Sequence, residues 1–390
     1  MKICAMHANY PPVFSGAAIQ FHRHAQYFVE RGHDVLVITI QFLGTSPSEM
    51  MDGIKIVRLP ILLNSKRNRK LSFMFLSAFE LIKRRREYDL LHLHGFNKFY
   101  TLPVCIAKIL GKKILYQITL LDAEPKIKQG FIYTVGLRYI DDVIALSTPL
   151  FQRAKKGPYP TRVSAVVPYG VDVNKYFPPT ENEKLQIRDK FKLDPNGYYI
   201  CFVGSTIKRK GGDILIRAFT SVYEHFPEAT LLFIGEDGSS TLRMDPDKKL
   251  LYATDEIRAL IESFALEERV IFTGLTDQVA DYMQASDMFV FPSRKEGLGA
   301  VILEALATGL PCVVSELDGI AKDMITNGVD GYIVPGFDPE DYARMMMLVL
   351  SDDKKAKYIG HNARHTIENR FEISEIAKRY LRHYDCLLGE

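Results

Sequence analysis

Residues 286–315, SDMFVFPSRKEGLGAVILEALATGLPCVVS, decide how the rest of the chain is read. The apolar run from Met288 to Phe291 predicts a buried parallel strand, which Pro292 and Ser293 end. A polar loop follows. Gly297 and Gly299 then open an amphipathic helix over Ala300 to Thr308, and Gly309 and Pro311 terminate it. Cys312 to Val314 is the next strand. A helix in this position points its free N–H groups out of the carboxyl end of a parallel sheet, where they attract an anion, phosphate above all. Two carboxylates flank that end, Glu296 in the loop and Glu304 inside the helix. Beside a phosphate they need other partners, and sugar hydroxyls suit a carboxylate, which accepts two hydrogen bonds at once. The same residues also admit a plainer reading, in which Glu296 caps the helix and Glu304 lies on its solvated face.

A chain of 390 residues exceeds one ordinary core and implies two or three domains. With 47% apolar and 25% charged residues and no low-complexity segment or repeat, it reads as globular, which excludes solenoids and disorder. Cysteines 4, 105, 201, 312 and 386 are scattered and never form a CxxC pair, a pattern of reduced thiols rather than a zinc knuckle. No signal peptide and no apolar run of membrane-spanning length is present, so a cytoplasmic protein is expected. The net charge of +3 conceals two halves of opposite sign. Residues 1–168 hold 24 Lys and Arg against 11 Asp and Glu, and the remainder holds 26 against 36. Two domains with different partners fit this division, the N-terminal one facing something anionic.

Strands alternate with helices along the whole chain. In the first half the strand candidates are residues 2–7, Asp34–Ile40, Ile54–Arg58, Leu90–His94, Ile114–Ile118, Val143–Leu146 and Val163–Val167. PYGVDVNKYFPP, 168–179, reads as a linker. A second set follows at Tyr199–Val203, Leu231–Ile234, Val270–Phe272, Met288–Phe291, Cys312–Val314 and Gly331–Val334. This alternation predicts two doubly wound parallel α/β sheets, whose ligands sit at the carboxyl ends of the strands. The loops after His7, His94 and Ile118 therefore stand out in the first half, and GSTIKRKGG, 204–212, in the second. That last loop has neither the Gly-Lys-Ser/Thr order of a Walker loop nor a GxGxxG pattern.

The stretch 286–315 closely resembles the donor-sugar motif of the retaining glycosyltransferases of family 4, which have the GT-B fold. The resemblance extends over essentially the whole chain and is most specific in 270–335. It implies two Rossmann-like domains facing across a cleft: 1–170 binding the acceptor, 171–372 binding a nucleotide-sugar donor, and a terminal helix, about 373–390, crossing back onto the first. GSTIKRKGG resembles the family's diphosphate loop. Lys210-Gly211 match its Lys-Gly pair, whereas Ser205 stands where the family has Arg; Lys208 or Arg209 is then the substitute cation. FIGEDG, 233–238, resembles the glycine loop near the nucleotide. Residues 270–287 resemble the segment that holds the base through main-chain groups at Phe272–Leu275. Ser15-Gly16-Ala17 resembles the Gly-Gly loop that closes on the diphosphate, without its second glycine. In DLLHLHG, 89–95, His94 matches the family's sugar-contacting histidine, with His92 on the same strand face. A second family histidine has no counterpart in QITLLD, and Tyr169 in the hinge VPYGVD stands where Asn is more usual.

What the resemblance implies is transfer of a hexose from a nucleoside-diphosphate sugar, with retention, needing no metal and no cofactor beyond the substrate. His94, Glu296 and Lys210 are the implied catalytic residues. Gly16, Gly204, Ser205, Arg209, Lys210, Gly235, Phe272, Gly274, Leu298, Gly299, Ala300, Val301 and Glu304 are the implied donor-binding set. A catalytically silent GT-B subunit and a sugar-nucleotide epimerase are the competing readings. NSKRNRKLSFMFLSAFELIKRRREYD, 64–89, places eight basic residues and one acidic between Lys66 and Arg86. Leu71, Met74, Phe75, Ala78, Phe79 and Ile82 recur between them at helical spacing. This is either a core-facing helix with solvated ends or a contact with an anionic leaflet, where a lipid-linked or glycan acceptor would wait. No nucleic-acid motif is present, and none is expected to bind.

Overall fold

The computed structural model describes residues 1–390 except 14, 43, 61–65, 97, 121–129, 157–162, 239–252 and 390. They form two compact units, residues 1–170 with 374–390, and residues 171–241 with 248–373. In chain order the first unit contains β1 (Lys2–Met6), α1 (Gly16–Glu30), β2 (Asp34–Ile40), β3 (Ser48–Met51), β4 (Ile54–Leu59), α2 (Lys66–Lys83), β5 (Leu90–His94), α3 (Thr101–Ile109), β6 (Lys113–Ile118), α4 (Gly130–Leu137), β7 (Asp142–Ala145), α5 (Thr148–Lys155) and β8 (Val163–Val166). The second contains α6 (Glu181–Lys190), β9 (Tyr198–Val203), α7 (Gly212–His225), β10 (Ala229–Ile234), α8 (Thr254–Ser263), β11 (Val270–Gly274), α9 (Val279–Ala285), β12 (Met288–Phe291), α10 (Ala300–Ala307), β13 (Cys312–Ser315), β14 (Tyr332–Val334), α11 (Pro339–Leu350) and α12 (Asp353–Arg370). The last helix, α13 (Ile373–Leu388), belongs to the first unit from Ser374 onward.

The first unit's sheet runs β3-β4-β2-β1-β5-β6-β7-β8, parallel except for β3. The chain leaves β1 toward β2 and β4, then returns to lay β5 on β1's other side, so the switch point falls between β1 and β5. Strand β3 does not figure in the sequence reading. It pairs antiparallel with β4 through a two-residue turn at Asp52-Gly53, both at positive φ, the Asp-Gly signature of a tight hairpin. The core gathers Ile3, Ala5, Phe21, Phe28, Val35, Val37 and Ile56 with Ile376, Tyr380 and Tyr384 of α13. The tyrosine hydroxyls of α13 are also satisfied there. Gln117 Nε2 donates to Tyr380 Oη at 2.6 Å, and Tyr384 Oη pairs with His92 Nδ1 at 2.7 Å. His92 thus serves the packing of the last helix.

The second unit's sheet runs β11-β10-β9-β12-β13-β14, all parallel, with its switch point between β9 and β12. Strand β12, MFVF, is buried at every residue, as a continuous apolar run covered on both faces must be. All five cysteines are free thiols.

Candidate active site

The second unit brings its charge together at the β9/β12 switch point, where an open α/β sheet holds ligands. Residues 204–212 leave β9 and residues 292–299 leave β12. The two loops touch closely: a Cβ on Gly211, which has φ +77°, would lie 2.1 Å from the Pro292 carbonyl oxygen. Only glycine permits both that approach and that backbone. Gly235 plays the same part against the other side, since a Cβ there would lie 2.7 Å from the Gly204 oxygen. Arg294 N–H donates to the Arg209 carbonyl at 2.8 Å, and Ser293 Oγ does so at 3.2 Å.

Glu296 is the centre of this contact. Its Oε1 accepts from Lys210 Nζ at 2.7 Å, Arg209 Nη1 at 2.8 Å and Ser293 Oγ at 2.8 Å. Arg209 Nη1 also donates to the Lys295 carbonyl. The Glu296 side chain is 10% exposed and that of Lys210 15%. Burial opposes both charges and pulls the Lys210 ammonium below its usual value. For Glu296 burial pushes upward, but Lys210, Arg209 and the hydrogen bonds outweigh it and hold the carboxyl below the usual range. Glu296 does not cap α10. Gly299, at φ +86°, is the cap and supplies no side-chain bond, so among the described residues no cap side chain takes the first N–H groups of the helix. Glu304, one turn into α10, is only 5% exposed, which overturns the solvated-face reading. Leu298 is buried at 2% and can offer a ligand only its backbone.

The remaining second-unit candidates lie on the neighbouring strand ends. Ser205 is half-buried and brings no charge. Phe272 and Gly274 lie at the end of β11, which among the described residues is an edge strand. The Phe272 ring stacks on Phe233 at 5.1 Å and carries the Arg258 guanidinium at 4.9 Å. The Gly274 carbonyl accepts from Gly235 N–H at 3.2 Å, tying the two loops. Ser293, fully buried on the Glu296 carboxylate, is a functional neighbour that sequence reading used only as a strand end. Among the described residues no group of three or more His, Cys, Asp or Glu could hold a metal ion.

In the first unit, His94 ends β5 at the β1/β5 switch point. Its ring lies between His7, centroids 4.3 Å apart, and His92 at 4.1 Å, with the Phe21 edge at 4.8 Å. Among the described residues neither ring nitrogen of His94 has a hydrogen-bond partner. Burial and the neighbouring imidazoles hold it well below the usual histidine value, hence neutral. His7 was legible only as the end of a strand; its stacking on His94 needs the fold. Gly16 is the exposed first residue of α1, with open space where a Cβ would be. Of QITLLD, Leu121 and Asp122 lie outside the described residues.

Two parallel α/β units, each with chemistry-bearing residues at its switch point, define the GT-B class, and solved structures agree. Anabaena HepE, solved in complex with UDP, has a TM-score of 0.77 at 20% identity over 99% of this chain and 100% of that one. The family models give the particular kind. Glycosyl transferases group 1 matches residues 183–366 and Glycosyltransferase Family 4 matches residues 14–175, so the chain is a glycosyltransferase of the family-4 type. N-acetyl-alpha-D-glucosaminyl L-malate synthase of Bacillus anthracis is 25% identical over 78% of this chain and 77% of its own. UDP-Gal:alpha-D-GlcNAc-diphosphoundecaprenol alpha-1,3-galactosyltransferase of Escherichia coli is 30% identical over 55% of this chain, about half (51%) of its own length.

Proposed function

We propose that the protein moves a hexose from a nucleoside-diphosphate sugar to a hydroxyl acceptor with retention at the anomeric carbon. The convergence of Lys210, Arg209 and Glu296 beside the uncapped N-terminus of α10 carries this reading. The two cations and the amides from Leu298 to Val301 receive the diphosphate, doing the charge stabilisation without a metal. Glu304 holds the ribose hydroxyls, Glu296 the sugar hydroxyls, and His94 bonds the transferred sugar. The anomeric carbon–oxygen bond to phosphate breaks, the acceptor oxygen bonds that carbon on the same face, and its proton passes to the leaving phosphate oxygen. No protein nucleophile takes part.

Calorimetric titration of UDP, GDP and ADP, with a chelator present, tests the donor site and reads out its base. One of the three is expected to bind at micromolar affinity, and Glu304→Ala to bind it at least ~10-fold more weakly, the value of one charge-assisted hydrogen bond. Binding to none would favour a catalytically silent subunit, for which Ser205 in place of Arg is the supporting residue. An epimerised donor without a new glycoside would favour the epimerase.

The acceptor is proposed to be lipid-linked and reached from the cytoplasmic membrane face. The E. coli relative's acceptor is, by its name, a diphosphoundecaprenol. Helix α2 supplies the surface. It buries Phe73, Ser77, Ala78 and Leu81, while Phe75, Phe79 and Ile82, at 59, 60 and 42% exposure, line the opposite side. The apolar residues read from sequence as one stripe therefore divide between two faces. Lys83 is exposed beside the outer one, and Arg85 and Arg86 are exposed just beyond the end of the helix. Each basic residue contributes about 1 kcal/mol near an anionic leaflet, and an inserted aromatic ring adds to it. Among the described residues no helix is long and apolar enough to cross a membrane. Vesicles rich in anionic lipid are expected to sediment the protein at low salt, and the double variant Phe75→Ser, Phe79→Ser to lose most of that binding. Failure of the wild type to sediment refutes the attachment.

A further inference from the structure

The cations that the proposed function gives to the diphosphate are the ones Glu296 already holds. Its Oε1 takes both Lys210 at 2.7 Å and Arg209 at 2.8 Å. An arginine at 205 would have provided a cation outside this pair, but the chain has Ser205. Two other basic groups of these loops, Arg294 and Lys208, are paired elsewhere. Arg294 forms a two-pronged pair with Asp213, at 2.8 and 2.7 Å, and Lys208 lies 3.5 Å from Glu256. A diphosphate therefore meets a buried carboxylate on its own two counter-charges, and like charges in a poorly hydrated site repel strongly.

Resting on the donor-site reading, we infer that Glu296 competes with the diphosphate for Lys210 and Arg209 and so discriminates the sugar nucleotide from the bare nucleoside diphosphate. Sugar hydroxyls donate to the carboxylate, satisfy it in place of the cations, and release them to the phosphates. When the sugar departs, Glu296 regains both cations and weakens the hold on the product. The residue that grips the sugar thereby helps to expel the nucleotide. Ser293, buried and donating to the same Oε1 at 2.8 Å, keeps the carboxylate within reach of both arrangements.

The test is calorimetric, with the nucleoside diphosphate that the wild type binds among UDP, GDP and ADP. Glu296→Gln keeps the shape and removes the charge. It is expected to bind that nucleotide ~10-fold more tightly than wild type, while transfer to acceptor falls, because the charge-assisted bonds it gives up become available to phosphate. In a Lys210→Ala background the same substitution should gain much less, since most of the contested charge is gone. Glu296→Asp, which keeps the charge but withdraws it by one methylene, serves if Gln destabilises the fold; a smaller gain of the same sign is expected. Nucleotide binding unchanged or weakened in both variants, with the wild type binding normally, overturns the competition and leaves the donor site standing. A wild type that binds none of the three nucleotides overturns the donor site and the competition together.

Discussion

Lys210→Ala is expected to lower kcat/KM at least ~10-fold, and by roughly 10²–10³ if the ammonium acts mainly as the diphosphate leaves. Its side chain is 15% exposed, and its ammonium sits 4.9 Å from the centre of the Phe291 ring and 2.7 Å from Glu296. A charge so placed faces little competing water, which is what makes a fixed cation effective against charge that develops as a bond breaks. How the loss divides is informative. A fall in kcat with little change in KM means the cation acts on the transition state, whereas a rise in KM alone means that it binds donor and transition state equally. Arg209 and Ser293 still hold Glu296 in this variant, so the loop should keep its shape. Melting temperature should be recorded first to separate lost chemistry from lost fold. Near-wild-type turnover in a folded Lys210→Ala protein would sink the assignment.

What could be read in advance follows how local each signal is. Strand β12 is found at Met288–Phe291 and helix α10 begins at Ala300, as read, because an apolar run, two glycines and a proline are signals within 30 residues. The bonds that make the site are not local: Glu296 meets Arg209 and Lys210 across 87 and 86 residues. Sequence supplied the three side chains separately and could not join them. Glu304 admitted a solvated or a buried place until packing decided it. Helix α2 carries apolar residues on both faces, so periodicity alone could not tell which face enters the core; Ala78 does and Phe79 does not. Strand β3 had its turn signal in Asp52-Gly53, but Ser48 and Glu49 gave it no apolar run. His7 acquires meaning only when β1 and β5 become neighbours and its ring meets that of His94.

Acidification should destabilise the first unit before the carboxylates begin to titrate. His7, His24 and His92 are 4, 2 and 0% exposed. Burial lowers His7 to about 3 and His24 to about 4, and it holds His92 well below the usual 6.5. The geometry agrees for His24: Nδ1–H donates to the Gln20 carbonyl at 2.6 Å and Nε2 accepts from Gly170 N–H at 3.1 Å. A second proton would turn that acceptor into a donor facing a donor. His7 stacks on His94 and His94 on His92, so charge on one ring meets the next. Unfolded, each histidine takes up its proton near 6.5. Between there and about 4 the unfolded chain binds more protons than the folded one, so stability falls as pH falls. Each group contributes about 1.4 kcal/mol per pH unit, and with His94, held neutral in the same stack, the four give about 5.5 kcal/mol, against a typical total of 5–15 kcal/mol. The melting temperature should therefore drop steeply between pH 6 and pH 5. His7→Phe keeps a ring against His94 and removes one of the four titrating groups, and should flatten that dependence by about a quarter. A melting temperature that is level from pH 7 to pH 5, or a His7→Phe slope as steep as that of the wild type, would mean that these histidines are not held neutral by the fold.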